Sequence, residues 1–253
     1  LISMKEHELH NYKLVLQYEG IRYNGWQKQK NQENTIQEVV ENAVFDGTGE
    51  RAEVIGSGRT DAGTHAMGQV ANVKLGQNLE PERLMDNINK HLPSDIKILE
   101  CEKVDNRFHA RLNAKAKTYM YTLCVGKKPD VFNRRTVLHY CADLDVDAMK
   151  KAAEYLKGEH DFMSFCSNKR TKKSTVRKIY DIEIIKDGDE ISFIFKGNGF
   201  LYNMVRILTG TLVEVGLGKT NPEDMPKISE AKDRSKSGAT LPPRGLILVN
   251  VEY

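Results

Sequence analysis

The side chains best suited to chemistry lie in one short segment, GSGRTDAGTHA, which runs from Gly56 to Ala66. Its glycines let the backbone approach a ligand closely, and this would bring the Arg59 guanidinium and the Asp61 carboxylate up to that ligand. The glycine spacing fits neither a Walker loop nor a dinucleotide-binding fingerprint. An alternative interpretation is an ordinary turn in which Asp61 caps backbone amides. The segment is a candidate site whose chemistry the loop alone does not define.

Hydrophobic patterns on both sides of this segment predict the elements that must position it. Short β-rich runs flank it directly, and an apolar run at helical spacing precedes it, with Thr35 and Glu38 as a capping box. The order of strand, helix, strand, strand, helix, strand resembles a split βαβ unit. In such a unit the helices cover one sheet face and leave the other face open, and an open face can bind a large ligand such as RNA. The predicted strands are residues 13–18, 53–55, 69–75 and 95–104, and the predicted helices are residues 35–45 and 81–91.

The second half of the chain repeats this rhythm loosely, without clear sequence identity to the first half. We therefore predict an α+β fold of two halves, residues 1–112 with the glycine-rich loop and residues 113–253. Residues 221–244 are polar and contain four prolines, which predicts loop and short helix. The predicted strands of this half are residues 117–125, 178–185, 190–196 and 246–252, and the predicted helices are residues 146–156 and 200–215.

Composition indicates a globular chain with a mild positive charge. The 253 residues are 40% hydrophobic and 29% charged, and the net charge of +3 does not by itself indicate a polyanionic partner. The four cysteines are widely spaced and form no pair of the zinc-binding kind. No apolar run reaches the roughly 20 residues of a membrane helix, and the N-terminal stretch is too charged for a signal peptide. We therefore expect a cytoplasmic protein without a metal site or a membrane partner.

Several further motifs accompany the glycine-rich loop in a fixed order along the chain. They are Tyr18-Glu19-Gly20, Gly25-Trp26-Gln27, Gly58-Arg59-Thr60-Asp61-Ala62-Gly63 with His65, Phe108-His109-Ala110-Arg111, Tyr119 with Tyr121, Asp161-Phe162 with Ser164-Phe165, Phe200 with Met204-Val205-Arg206, Lys232-Asp233-Arg234, and Gly245-Leu246. With these motifs the sequence resembles the tRNA pseudouridine synthase A (TruA) family over essentially the whole chain. The Gly-Arg-Thr-Asp-x-Gly element is highly specific in that setting.

The resemblance implies a set of site residues and an architecture for this chain. It assigns Asp61 as the catalytic aspartate, Tyr119 as the aromatic packed on the target base, and Arg206 as the ion-pair partner of Asp61. It places Arg59 beside the flipped nucleotide. It also implies two abutting split-βαβ halves, of the ferredoxin-like or RNP-like kind, which form one extended, mainly antiparallel sheet flanked by helices and loops. A homodimer with a basic cleft, no metal or organic cofactor, and tRNA uridines at positions 38–40 of the anticodon stem-loop complete the expectation.

One carboxylate can suffice for the implied reaction. Uracil must leave ribose C1′, rotate and rejoin through carbon, so neither water nor a second substrate is needed. The family's proposed mechanisms have Asp61 attack C1′, add to the uracil ring or help remove the 2′ proton, and the sequence leaves all three open. All three need an ionised aspartate, which a nearby guanidinium such as Arg206 would favour. Without Asp61, Arg206 would be interpreted as a solvated helix arginine.

The target base must leave its stack, which costs a few kcal/mol, and be held on a planar side chain. Tyr119 suits this role because base–aromatic stacking returns roughly 1–3 kcal/mol. The alternative is a strand tyrosine packed in the sheet. Tyr121, on the same strand face, could instead supply that packing.

A dense basic run follows in the second half, and we interpret it as a track for RNA phosphates. A solvated loop is the alternative interpretation. His65, His109 and Trp26 are interpreted as structural, the histidines as loop anchors and the tryptophan as a core residue under the loop. The basic residues are Lys169, Arg170, Lys172, Lys173, Arg177 and Lys178.

Two departures from the family pattern bear on the substrate. Thr64 stands where the family commonly has valine, and Leu201-Tyr202-Asn203 replaces a segment that often carries histidines. They leave open whether the enzyme acts at the implied tRNA positions, at other tRNA positions or on ribosomal RNA. Two other classes of protein compete with an RNA-modifying enzyme. The first is a non-catalytic RNA-binding protein, which the intact Asp61 disfavours. The second is a phosphate-binding hydrolase, which is disfavoured because the sequence has no lysine after the glycines and no evident metal-binding carboxylate cluster.

Overall fold

The computed structural model describes residues 9–30, 33–128, 130–168 and 173–253. The chain divides into two compact units, one formed by the described residues up to Ala114 together with Tyr253, the other by Lys115–Glu252. The expected α+β class, with a mainly antiparallel sheet flanked by helices, is confirmed. The assignment of residues 1–112 and 113–253 as separate domains stays a prediction. No helix in the described ranges is both long and apolar enough to cross a membrane.

The first unit is an antiparallel sheet with two helices. Its strands lie in the order β4-β1-β3, and the short β2 pairs with β3. Strand β1 buries alternate side chains, including Tyr12, Leu14 and Leu16, because successive residues of a strand point to opposite faces. Helix α1 packs on α2, and α2 packs on β4. The bounds are β1 His10–Tyr18, α1 Ile36–Thr48, β2 Val54–Gly56, β3 His65–Leu75, α2 Pro81–Asn89 and β4 Ile96–Val104.

Helix α1 begins where the capping signal predicts. The Thr35 side chain accepts a hydrogen bond from the Glu38 backbone N–H at 3.4 Å, so one of the orphan amides of the first turn is satisfied. At the other end, Gly49 adopts a left-handed conformation with φ 77°, in which its N–H bonds the Phe45 carbonyl. These two caps fix the helix that precedes the glycine-rich loop.

The second unit is a longer antiparallel sheet in the order β10-β5-β9-β8-β7, and β6 pairs with β5 in parallel. Strand β9 buries Ile191, Phe193 and Phe195 on its core face. Helix α3 packs on α4. The bounds are β5 Ala116–Cys124, β6 Leu138–His139, α3 Val146–Glu154, β7 Gly158–Asp161, β8 Val176–Asp187, β9 Glu190–Gly197, α4 Met204–Gly216, α5 Met225–Glu230 and β10 Leu246–Glu252.

Helix α4 differs most from its sequence-based prediction, because it begins at Met204 rather than at residue 200. Asn203 takes a left-handed conformation with φ 61°, which breaks the helical path in front of Met204. The short strands β6 and β7 were not expected, since two and four residues show no readable alternation.

Candidate active site

The glycine-rich loop of residues 57–64 joins β2 to β3 and is anchored by buried hydroxyl groups. Ser57 donates to the Gln69 side chain at 2.7 Å, and the Thr60 hydroxyl lies 2.8 Å from the Tyr18 hydroxyl. Ser57 and Thr60 are buried, whereas Arg59 is exposed and Asp61 is partly exposed. Anchoring and outward-facing residues thus alternate along the loop.

Gln69 and Tyr18 are the buried side chains that hold this loop through hydrogen bonds. The Gln69 amide donates to the Gly58 carbonyl at 3.2 Å and to the Tyr18 hydroxyl at 3.4 Å. Burial raises the pKa of Tyr18, although its hydrogen bonds to Thr60 and Gln69 oppose the shift. Tyr18 therefore stays a neutral phenol that links the loop to β1.

The chain around Gly20 touches the end of the loop so closely that only glycine fits. A Cβ on Gly20 would lie 1.9 Å from the Thr64 carbonyl oxygen. The Gly20 N–H donates to the His65 Nδ1 at 3.2 Å, and Trp26 is only 2% exposed with its ring 6.2 Å from that of Tyr18. The structural interpretation of His65 as a loop anchor and of Trp26 as a core residue is confirmed.

Asp61 is the first residue of a tight turn, and a hydrogen bond to the Asp61 backbone carbonyl closes that turn. The Asp61 carbonyl accepts a hydrogen bond from the Thr64 N–H at 3.0 Å, and Gly63 sits between them with φ 78°. The Gly63 N–H in turn donates to the Tyr23 carbonyl at 3.3 Å. The backbone of the turn is therefore held on both sides, and the partly exposed Asp61 side chain projects from a fixed frame.

Arg59 is joined to helix α1 through a chain of amides. Its Nε donates to the Gln27 Oε1 at 3.2 Å, and the Gln27 amide donates to the Gln37 Oε1 at 2.8 Å. The two charged residues of the loop, Arg59 and Asp61, thus lie two positions apart on the same anchored segment of the first unit.

Tyr119 and Tyr121 lie on strand β5 of the second unit and have different environments. Tyr119 is 7% exposed, and its ring makes an edge-on contact with Phe200 at 5.2 Å between centroids. Tyr121 is fully buried and donates to the Pro242 carbonyl at 2.7 Å. Burial raises the pKa of Tyr121, opposed by the positive charge of Arg206 and Arg244.

Arg206 lies in the first turn of α4, and part of its guanidinium is held by neighbouring segments of the second unit. Its Nε donates to the Leu241 carbonyl at 2.6 Å, and its Nη1 donates to the Asn203 side-chain oxygen at 2.7 Å. The side chain is partly buried. These contacts orient Arg206, which excludes the interpretation as a freely solvated helix arginine.

The sequence did not reveal the groups that hold Arg206. Leu241 contributes only a carbonyl, and Asn203 contributes a left-handed backbone as well as its amide. The motif Lys232-Asp233-Arg234 marks the segment that leads to Leu241, but a hydrogen bond to a distant carbonyl leaves no sequence pattern.

Of the predicted basic track, Lys169, Arg170 and Lys172 lie outside the described residues. Lys173 is exposed, and the Arg177 guanidinium donates to the Ser174 carbonyl at 2.9 Å. Within the described ranges, no group of three or more His, Cys, Asp or Glu side chains is arranged to hold a metal ion.

A sequence match places this chain, with its anchored loop and its oriented Arg206, in a known class of enzyme. The profile of one protein family, described as tRNA pseudouridine synthase, matches residues 14–113 and 152–253. The chain belongs to this family and is a pseudouridine synthase.

Individual relatives narrow the resemblance to one branch of the family. A tRNA pseudouridine synthase A from Bacillus sp. (strain KSM-64) is 47% identical over 230 residues, which are 91% of this chain and 94% of that protein. A tRNA pseudouridine synthase A 2 from Bacillus cereus is 43% identical over 245 residues, covering 97% of this chain and 100% of the relative. A tRNA pseudouridine synthase A from Acetivibrio thermocellus is 42% identical with the same coverage. The family expected from the sequence is confirmed.

Proposed function

We propose that this enzyme converts uridine to pseudouridine at positions 38–40 in the anticodon stem-loop of tRNA, with Asp61 as its catalytic carboxylate. The observation that carries the proposal is the frame around Asp61, a partly exposed aspartate on a loop whose neighbouring residues are pinned by buried hydrogen bonds. A carboxylate held in this way can meet a flipped nucleotide without rearrangement of the loop, which lowers the entropic cost of reaching the transition state.

The reaction is an isomerisation that this chain can carry out with its own side chains. The bond between uracil N1 and ribose C1′ breaks, the base rotates, and a bond forms between C5 and C1′. The proton on C5 is lost and N1 gains one, so the atoms balance without a co-reactant. Asp61 acts by attack on C1′, by addition to the ring or by removal of the 2′ proton, and each route requires the carboxylate form.

Arg206 is the proposed ion-pair partner that keeps Asp61 ionised, because an opposite charge lowers the pKa of a carboxyl group. This assignment comes from the family resemblance. It is supported on the side of Arg206 by the Leu241 and Asn203 contacts, which orient its guanidinium. A double-mutant cycle between Asp61→Asn and Arg206→Gln should show strong coupling in the single-turnover rate, whereas additive effects would remove Arg206 from this role.

Tyr119 is the proposed platform for the extruded uracil, and Phe200 braces its ring from the edge. Arg59 is proposed to lie beside the flipped nucleotide. The run that includes Lys173 and Arg177 is proposed to contact phosphates, which position the RNA without contributing to the chemical step. We further propose, from the family resemblance, that the enzyme works in the cytoplasm as a homodimer.

The proposal is tested by mapping pseudouridine at nucleotide resolution in total RNA from cells with and without the gene. We expect loss of pseudouridine at positions 38–40 of tRNAs and its return with the wild-type gene. Loss confined to ribosomal RNA would overturn the substrate assignment while keeping the reaction. An unchanged map would overturn the activity itself.

A further inference from the structure

The segment that joins β5 to β6 carries Phe132, which is 89% exposed, next to Val131, which is 61% exposed. We call residues 127, 128 and 130–137 the β5–β6 loop. A single apolar side chain at a surface is common and needs no explanation. A phenylalanine ring that is almost fully exposed to water is less usual, and the residues around Phe132 indicate that it contacts a binding partner.

Hydrogen bonds within the β5–β6 loop fix the conformation of its described residues. The Phe132 N–H donates to the Asp130 carboxylate at 2.9 Å, and the N–H groups of Thr136 and Val137 both donate to the Asn133 carbonyl at 3.0 Å. These bonds form local turns. The ring of Phe132 is therefore displayed by a folded loop.

Phe132 does not line the partly open cavity next to this loop. A cavity of about 190 Å³ lies against this loop, and its walls include Cys124, Val137, His139 and Arg244. Phe132 lies outside it. Burial of a phenylalanine ring is favourable, so the exposed ring offers apolar area whose covering by a bound partner would be favourable. The observed outward position points to a contact made on binding.

The charges beside Phe132 define the kind of partner. Lys127 and Lys128 precede it, Arg134 and Arg135 follow it, and all four are exposed. Asp130 is the acidic residue within the stretch, and its carboxylate already accepts the Phe132 N–H. An aromatic face flanked by cations matches a nucleic acid, in which bases stack and phosphates attract positive charge.

We propose that the β5–β6 loop is a second RNA-contact element, in which Phe132 stacks on an unpaired nucleobase of the tRNA while Lys127 and Lys128 contact flanking phosphates. The inference rests on the proposed function in that it takes tRNA as the ligand. It assigns a contact separate from the extruded target uracil, for which Tyr119 is proposed. Phe132 is therefore a binding residue and takes no part in the chemical step.

The test is equilibrium binding of a tRNA transcript together with single-turnover pseudouridine formation. Phe132→Ala should raise the Kd about tenfold, because base–aromatic stacking is lost, and leave the rate at saturating enzyme unchanged. Phe132→Trp should restore the wild-type Kd. Tyr155→Ala, which removes an aromatic residue that is 42% exposed at the end of α3, serves as the matched control and should bind normally.

Salt dependence separates the stacking contact from the phosphate contacts. Phe132→Ala should keep the slope of log affinity against log salt, because stacking releases no counterions. The Lys127→Ala, Lys128→Ala double variant should flatten that slope by about 1.5, which corresponds to two lost phosphate contacts.

Three results would overturn the inference. The first is a Phe132→Ala variant that binds tRNA within about twofold of wild type. The second is an equal loss in Tyr155→Ala, which would show a general effect of surface truncation. The third is a weaker self-association of Phe132→Ala in sedimentation with unchanged RNA affinity per subunit, since Phe132 would then contact another copy of the chain. A wild-type enzyme that binds tRNA but forms no pseudouridine would contradict the proposed function alone, because the Phe132 comparison needs only binding.

Discussion

Two regions of the molecule hold the charged residues that are proposed for catalysis, and they do so in different ways. In the loop of residues 57–64, Asp61 lies on the same short segment as its anchors, and Thr60, next to it in sequence, holds that segment through Tyr18. In the second unit, Arg206 lies on a regular helix and is held from outside by Leu241. The anchoring residue of the first arrangement is adjacent to Asp61 in sequence, whereas Leu241 lies 35 positions from Arg206; the hydrogen-bond partner of Thr60, Tyr18, is itself 42 positions away.

The segment 232–241, which leads to Leu241, has a support network of its own. The Arg234 guanidinium donates to the Ser237 hydroxyl at 3.0 Å and to the Thr240 hydroxyl at 2.8 Å. The Gly238 N–H donates to the Thr211 hydroxyl on α4 at 2.9 Å. The two regions differ in which residues make the anchoring contacts: residues beside Asp61 anchor the loop through β1 and β3, whereas the Arg206 side chain itself bonds a separate segment.

We expect the largest effects on stability at two glycines, one in contact with each region, where the backbone of another segment lies too close for a Cβ atom. Alanine at Gly20 would place Cβ 1.9 Å from the Thr64 oxygen, and alanine at Gly210 would place it 1.9 Å from the Ala239 oxygen. We expect each variant to lose about 3 kcal/mol of unfolding free energy in urea titrations, since backbone must shift. The Gly210 result is the sharper one because alanine normally stabilises a helix.

Gly76→Ala is the matched control for both variants, because its nearest neighbour, the Glu50 side chain, lies at an ordinary 3.5 Å. Its unfolding free energy should stay within about 0.5 kcal/mol of wild type. Equal stability of all three variants would show that neither close approach persists in solution.

The next largest effect concerns the network that supports Arg206. Arg234→Gln should lower the single-turnover rate about tenfold, because the turn that presents the Leu241 carbonyl loosens. The Kd for tRNA should change less than twofold. Arg234→Lys should recover little, since a lysine cannot reach Ser237 and Thr240 at once. A pure loss of affinity with a normal rate would place Arg234 in RNA binding and contradict a positioning role.

A smaller effect distinguishes two threonines of the same loop. The Thr64 hydroxyl is buried and has no hydrogen-bond partner among the described residues, so Thr64→Val should stabilise the protein by about 1 kcal/mol. The Thr60 hydroxyl bonds Tyr18, so Thr60→Val should destabilise it by about 1–2 kcal/mol. Chemical denaturation checks both, and a shift of the same sign in the two variants would contradict the anchoring scheme.

The smallest effect is a pH dependence in the segment behind the loop. Burial, followed by the hydrogen bond to Asp95, raises the pKa of Tyr23 to about 12 from its ordinary value near 10. A raised pKa means that the folded state holds the phenol proton more tightly. The stabilising contribution of Tyr23 is therefore present below pH 10 and is lost as the pH rises from 10 to about 12.

Tyr23→Phe isolates this contribution because it removes the ionisable group and keeps the ring. The difference in unfolding free energy between wild type and Tyr23→Phe should shrink across pH 10 to 12. A constant difference over that range would show that the Tyr23 phenol ionises with an ordinary pKa.

The two regions also differ in how far the sequence predicts them. The order of motifs identified the family, and hydrophobic periodicity located α1, α2, α3 and the longer strands. The glycine-rich loop was visible because its glycines and Asp61 are adjacent in sequence. The anchoring role of Ser57 was not visible, since its partner Gln69 lies on the next strand and only the folded chain brings them together.

The start of α4 is a second feature that the sequence predicts only in part. Residues 200–203 have side chains compatible with a helix, but Asn203 adopts a left-handed conformation and bonds Arg206. Asparagine tolerates that conformation better than most residues, and the Asn203 amide donates to the Ser167 hydroxyl at 3.0 Å, a contact that only the folded chain provides. The sequence thus predicted the existence of the helix and suggested a role for Arg206 that stays a prediction, while the contacts that orient Arg206 are visible only in the structure.

The central claim is that Asp61 performs chemistry from a loop that other residues hold in place. Asp61→Asn keeps the size of the side chain and removes its charge. We predict a folded protein that binds tRNA near wild-type affinity and loses single-turnover pseudouridine formation by many orders of magnitude, because no other carboxylate lies on the loop of residues 57–64. A folded variant that still forms pseudouridine within about tenfold of the wild-type rate, a loss of only about 1.4 kcal/mol, would contradict the claim.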